Sequence, residues 1–423
     1  MRTTSGKILK TQLSSFSITD SRNYLLLFVL WPFLAFVTAL INYSQKESKK
    51  VVYFFLIYFG LTIVISTDFY SDALGYAIRL KANADLPFSD FFEIVGGLYS
   101  DTNVDIVEPL VSFIVSRFTE QYNFYFAIWA SIFGFFYLKS IDLLYERYQY
   151  KKGWNAIILL IFFIVILPIN RISTVRMWTA AWMFFYGAYH IILFRDYKYF
   201  LVTLGASLIH WSFISANVIL LIYFFVGNRN IIYLFLVLVS FVLPHVIAPF
   251  FQSVSLRLGG ALQNRYESYS NEGYIAEIQG SYEHASWFLT LGTEMTFYYI
   301  LLAIAIIQIF YGKLMQDRTE KNLFSFLLLF LSFVNFGKPI ASFGKRFQLV
   351  FFLFGTFYIF LYSLKRPGDR INILIWIGLI PMLFYAGVEF RIFADSFNAW
   401  ILTPGFGLPL LVPGLSIADL LFS

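Results

Sequence analysis

The chain has 423 residues, is 59% hydrophobic and 21% aromatic, and carries only 13% charged residues, about half the charged share of a soluble domain. Apolar runs reach or approach the roughly 20 residues that cross a hydrocarbon core, which excludes a soluble globular protein. A net charge of +6 with no clustered basic patch excludes a nucleic-acid binder, and the absence of cysteine excludes disulfide and thiol chemistry.

The first 20 residues are polar and lack an apolar core, so no cleavable signal peptide is expected. Spanning segments are predicted near 24–43, 51–66, 122–141, 154–169, 178–194, 199–211, 213–226, 231–250, 288–311, 323–337, 347–363 and 371–388. The fold class expected is therefore an all-α polytopic integral membrane protein with about 12 transmembrane helices, forming one membrane domain over 1–423. The stretch 199–226 is long for one span and short for two. A break at His210-Trp211-Ser212 divides it, and non-helical backbone at that depth must face protein or a wet cavity.

Four short loops carry three Lys or Arg each: QKESKK (45–50), ERYQYKK (146–152), GKLMQDRTEK (312–321) and LKRPGDR (364–370). Positive charge favours the cytoplasmic side, and all four fit there if 199–226 crosses twice. The segments 67–121, 251–287, 170–177 and 338–346 then lie outside. This arrangement also puts the N-terminus outside, against the preference of Arg2, Lys7, Lys10 and Arg22.

Candidate chemistry follows along the chain. Residues 67–109 hold eight acids against Arg79 and Lys81. Asp68 and Asp72 would share a helix face, and Glu108 precedes Pro109. These carboxylates can orient sugar hydroxyls, bind a metal or act as a base; a solvated acidic loop is the plainer reading. No close His or second acidic pair completes a metal ligand set, so no metal is expected. Segment 67–121 alternates apolar and polar residues with near-helical spacing, as amphipathic interfacial helices do.

In NRISTVRMW, Pro168 stops a span and Ser173 or Thr174 can cap the next helix. Arg171 and Arg176 can then converge on an anion beside free backbone N–H groups; snorkelling to lipid phosphates is the alternative. His210, in SLIHWSFIS, is an ionisable group at membrane depth and a candidate proton acceptor. A neutral histidine bonded between helices is the structural alternative. His190 and His245 read as structural, and His284 beside Glu283 as secondary.

The loop 251–287 is rich in Tyr, Gly, Ser and Asn. Its Tyr266, Tyr274 and Tyr282 offer flat faces and polar tips for sugar rings, and Arg257 and Arg265 add positive charge. Lys338, Lys345 and Arg346 in NFGKPIASFGKRF, and Arg391 in EFRIF, complete a set of cations on the outer face. That set is suited to charge-assisted bonds with a diphosphate.

Taken together, TDFYSDALGY, EPLVSFIVSRF, STVRMWTAAW, LIHWSFIS and GKRF resemble the EpsG-like polysaccharide polymerases, relatives of the Wzy O-antigen polymerases, over most of residues 45–365. One departure is VIST before the Thr-Asp pair, where the family often has an arginine and a glycine. The resemblance implies a GT-C-like enzyme of the bacterial plasma membrane that joins repeat units carried on undecaprenyl diphosphate at the outer leaflet. It implies Arg176 and Arg346 on the diphosphate, His210 near the reacting centre, and Asp72 and Glu108 shaping the acceptor side. Transfer would be inverting and metal-independent, with no cofactor. Expected partners are the lipid-linked glycans, membrane lipids and a chain-length regulator protein. An O-antigen ligase, a flippase of lipid-linked oligosaccharides and a membrane acyltransferase are the rival readings. A transporter would show paired inverted repeats, whereas only one break is evident.

Overall fold

The computed structural model describes residues 21–65, 71–92, 105–151, 153–243, 287–314, 317–340, 342–365, 371–412 and 414–422. Among these the chain is helical, with no strand beyond an isolated Asn398–Ser416 bridge. Helices satisfy their own backbone groups, the requirement that an apolar solvent imposes. Arg257, Arg265, Tyr266, Tyr274, Tyr282, Asp68 and almost all of the 251–287 loop lie outside the described residues.

In chain order the helices are α1 (Ser21–Leu30), α2 (Pro32–Ile41), α3 (Lys46–Leu61), α4 (Asp72–Ala84), α5 (Val107–Ser116), α6 (Tyr122–Tyr150) and α7 (Trp154–Ile166). After a 3-10 turn at Ile169–Thr174 come α8 (Val175–Phe194), α9 (Phe200–Ile209), α10 (Phe213–Val226) and α11 (Asn230–Val242). Then follow α12 (Trp287–Tyr311), α13 (Arg318–Gly337), α14 (Phe343–Lys365) and α15 (Ile371–Ser396), with short helices α16 (Leu408–Leu411) and α17 (Ile417–Phe422).

In their described residues, eleven of the twelve expected segments overlap one α-helix each, and 24–43 overlaps two, α1 and α2. Five stretches are long and apolar enough to cross a membrane: Tyr122–Tyr150, Trp154–Phe194, Thr290–Tyr311, Phe343–Lys365 and Asn372–Ser396. The 41-residue stretch Trp154–Phe194 is not one straight rod. Phe163 of α7 packs on Trp182 and Phe185 of α8, with ring centroids 5.5 and 5.3 Å apart. Residues 19 positions apart on a continuous helix would be about 28 Å apart. The chain therefore reverses at Pro168, and Trp182 Nε1 donates to the Leu167 carbonyl across the turn (3.1 Å).

Side-chain contacts sort the loops into two ends. Lys49 pairs with Asp142 (2.8 Å) and Tyr43 donates to the same carboxylate (3.1 Å), bringing 45–50 to the end of α6. Lys151 donates to the Lys365 carbonyl (3.1 Å), and Lys365 pairs with Asp317 (2.7 Å) and Glu320 (2.6 Å). All four basic loops thus gather at one end, here called the basic end.

The N-terminal segment differs from expectation. Residues 24–43 do not form one span, because Trp31 is extended and Pro32 opens a new helix. Tyr24 bonds Ser48 at the start of α3 (2.9 Å), whereas Trp31 Nε1 donates to Leu402 O at the opposite end (3.0 Å). Phe36 then stacks on Phe55 at 4.1 Å as α2 returns. The pair is a hairpin, and Ser21 lies at the basic end. The conflict posed by Arg2, Lys7, Lys10 and Arg22 comes from counting the hairpin as a single crossing.

Among the five long apolar stretches, α14 is the most enclosed. Phe354 meets Phe185 (4.8 Å) and Phe326 (5.1 Å), and Phe347 meets Phe213 (5.2 Å) and Phe333 (5.1 Å). This aromatic packing sets the first turn of α14 beside the first turn of α10, at the end opposite the basic loops.

Candidate functional site

Helix α4 begins with Ser71, whose hydroxyl caps Leu74 N–H (3.2 Å), and with the exposed Asp72 in its first turn, favourable to the helix dipole. One turn on, Tyr76 is buried and its hydroxyl accepts from Arg176 Nε (2.9 Å). Arg176 Nη1 donates to Asp105 Oδ2 (2.7 Å). Arg176 sits at the second position of α8, as the Pro168 signal predicts. Thr174 occupies the capping position without a side-chain cap bond. Among the described residues, Arg176 Nη2 has no protein partner.

Asp105 carries the site to the helix break. Its Oδ1 accepts the backbone N–H of Trp211 (2.8 Å), and the next residue, Ile106, donates its N–H to Leu208 O (3.1 Å). These two bonds satisfy backbone groups that the break between α9 and α10 would otherwise leave exposed. Helix α9 has ten residues, about 15 Å, short of the roughly 30 Å of a hydrocarbon core.

His210 ends α9 in an extended conformation (φ −144°, ψ 110°). Its Nδ1 lies 3.0 Å from Ser212 Oγ and 3.3 Å from Ser212 N. The backbone N–H can only donate, so while that contact holds, the neutral ring carries its proton on Nε2. If Ser212 Oγ accepts instead, Nδ1 carries the proton and Nε2 becomes the acceptor. Asn217 Nδ2 donates to Thr203 O (2.7 Å) and Ser207 Oγ (2.9 Å), clamping α9 to α10 just below.

Glu108, fully buried, accepts from Tyr125 OH (3.0 Å) and forms an ion pair with Arg79. Tyr76 and Tyr125 lie 6.0 Å apart. Burial pushes the Tyr76 phenol up from its ordinary value, against the opposing pull of Arg176. Arg176, Tyr76, Asp105, Glu108, Arg79 and the His210 break thus form one connected group.

Arg171 does not share a partner with Arg176. It grips the buried Glu389 of α15 with Nε (3.0 Å) and Nη2, and stands over the Trp178 ring (5.4 Å). Lys338, at the end of α13, stands 4.0 Å over the Phe297 ring. Burial pulls its amine below the ordinary lysine value and Glu294 opposes that shift. Lys345 belongs to the same neighbourhood, since Glu294 and Lys338 both act on it. Arg346 precedes Phe347, which packs on Phe213 three residues beyond His210. Among the described residues neither Lys338 nor Arg346 forms an ion pair.

Several partners escaped the sequence reading: Asp105, Tyr125, Glu294 and Glu389. The spacing DIVEP, which puts Asp105 and Glu108 one turn apart, and Tyr76 with Arg79 at the same spacing, were the available signals.

A profile described as "EpsG family" matches residues 87–401. EPLVSFIVSRF, STVRMWTAAW, LIHWSFIS and GKRF fall inside that range; TDFYSDALGY lies before it. No curated protein and no solved structure matches.

Proposed function

Because the chain belongs to the EpsG family, whose members are membrane proteins of polysaccharide biosynthesis, we propose that it polymerises oligosaccharide repeat units carried on undecaprenyl diphosphate. The observation that carries this reading is the meeting of Arg176, the α4–α5 carboxylates and the His210 break at the end opposite the four basic loops. With the basic loops in the cytoplasm, that group faces the outside, where lipid-linked units are displayed.

In this reading the acceptor hydroxyl attacks the anomeric carbon of the donor. The bond from that carbon to the diphosphate oxygen breaks, and the lipid diphosphate leaves with the electron pair. Asp105 and Glu108 already neutralise Arg176 and Arg79. Net positive charge for the leaving group therefore comes chiefly from Lys338, Lys345 and Arg346, with the Nη2 edge of Arg176 as an oriented donor. Fixed cations of this kind stabilise charge that builds as the bond breaks. His210 takes the proton at Nε2 when Nδ1 donates to Ser212 Oγ. Asp72 and Glu108 border the acceptor side. Arg171, engaged by Glu389, holds the α7–α8 turn in place, and a single displacement inverts the anomeric centre.

Purified protein incubated with synthetic lipid-linked repeat units should give a ladder of polymer. Arg176→Ala should abolish it while single units still bind, and chelator should leave it unchanged. A ladder from the Arg176 variant would remove the diphosphate role. Loss in chelator with rescue by magnesium would restore Asp68 and Asp72 as metal ligands. A flippase would give no ladder, and a ligase would give transfer to a foreign acceptor without elongation.

A further inference from the structure

A groove of about 450 Å³ runs between α1 and α3 and shares no lining residue with the group around Arg176. Its walls are apolar and largely aromatic: Tyr24, Phe28, Phe54, Tyr58 and Phe406, with Leu25 at the rim. One end is closed. Gly405 and Phe406 donate their N–H groups to Leu30 and Val29 carbonyls (2.7 and 3.2 Å). The Phe406 carbonyl accepts from Tyr58 OH (2.7 Å), and the two rings stack at 4.8 Å. The groove therefore opens at the basic end, beside Glu47 and Lys50.

Its dimensions and charge select an occupant. From Lys50 to Leu61 the groove follows twelve residues of α3, about 16 Å, the depth of one leaflet. That suits one acyl chain and is far too short for a long polyisoprenyl chain. At the basic end Lys50 lines the groove and is exposed, and Arg22, two residues before the lining Tyr24, and Lys46, one before the lining Glu47, are exposed as well. Glu47 pairs with Lys50 (2.9 Å), and among the described residues Lys46 forms no ion pair, so positive charge is in excess. Juxtamembrane lysines and arginines attract anionic headgroups. We propose that this groove is a site for one anionic glycerophospholipid, its acyl chain between α1 and α3 and its headgroup among Arg22, Lys46 and Lys50.

The test is native mass spectrometry of the full chain in detergent, titrated with phosphatidylglycerol and with phosphatidylcholine of the same acyl chains. One phosphatidylglycerol per chain should bind at least ten-fold more tightly than phosphatidylcholine. Lys46→Gln with Lys50→Gln, both at exposed positions, should bring the two lipids level. Leu25→Trp, which fills the groove from its exposed rim, should remove the tight site for both. Equal binding of the two lipids by the unaltered protein overturns the proposal, as does a preference that survives all these changes. Tighter binding of undecaprenyl phosphate than of phosphatidylglycerol also overturns it.

Discussion

Arg171 and Arg176 stand five residues apart, yet each is held by a carboxylate from a different part of the chain. Glu389 lies 218 positions from Arg171, and Asp105 lies 71 from Arg176. The sequence marks both arginines as unusual because each follows so closely on an apolar span. It gives no means of pairing them, since partners at such separations meet only after the helices pack. Glu389 is 2% exposed, so Arg171→Ala should cost about 3–5 kcal/mol by leaving a buried charge alone. Arg171→Met with Glu389→Leu should melt closer to the unaltered protein than either single change; additive losses in a double-mutant cycle would deny the coupling. Lys338 yields a pH prediction. Its amine loses its proton below the ordinary lysine range, so affinity for undecaprenyl diphosphate should decline earlier on raising pH than an ordinary lysine allows. Burial pulls Lys345 down as well, so Lys338→Arg with Lys345→Arg, which do not titrate there, should remove that decline; an unchanged profile would separate both lysines from the anion.

At the level of helices, apolar period and length locate each crossing, and the breaks depend on finer signals. His210-Trp211-Ser212 is legible because 199–226 has the wrong length for either one crossing or two. Trp31-Pro32 carries an equally good signal, a proline at the first helical position. It is masked because 24–43 has the length of one span. What holds the break is not legible: only the folded chain shows Asp105 and Ile106 bonded to Trp211 N–H and the Leu208 carbonyl. Close helix contacts are likewise hidden. A Cβ on Gly60 would stand 2.6 Å from Ala130 Cβ and from the Phe126 carbonyl oxygen, so the α3 backbone at Gly60 lies directly against the α6 backbone. Gly60→Ala should destabilise by roughly 1–3 kcal/mol, measured by thermal unfolding in detergent, whereas the open Gly153 should tolerate alanine. Equal effects at both would show that the helices part easily.

For the whole molecule, the grouping of basic loops at one end turns orientation into a labelling experiment. The chain has no cysteine, so single cysteines introduced at exposed positions report cleanly. Positions 22, 151 and 321 should react from one side of the membrane, and 72 and 391 from the other. Labelling of 22 on the same side as 391 would contradict the α1–α2 hairpin. Composition and apolar runs by themselves determined that this is a helical membrane protein with twelve of its 31 lysines and arginines in four short loops, because transfer of charge into hydrocarbon is costly wherever the chain goes. Motif likeness determined the family. Tertiary structure alone decided that the N-terminal segment turns back, that Arg176 and the His210 break are joined through Asp105, and that Arg171 serves a different contact. Those outcomes depend on which helix faces pack together, and contacts between residues 24 to 371 positions apart leave no local mark on the sequence.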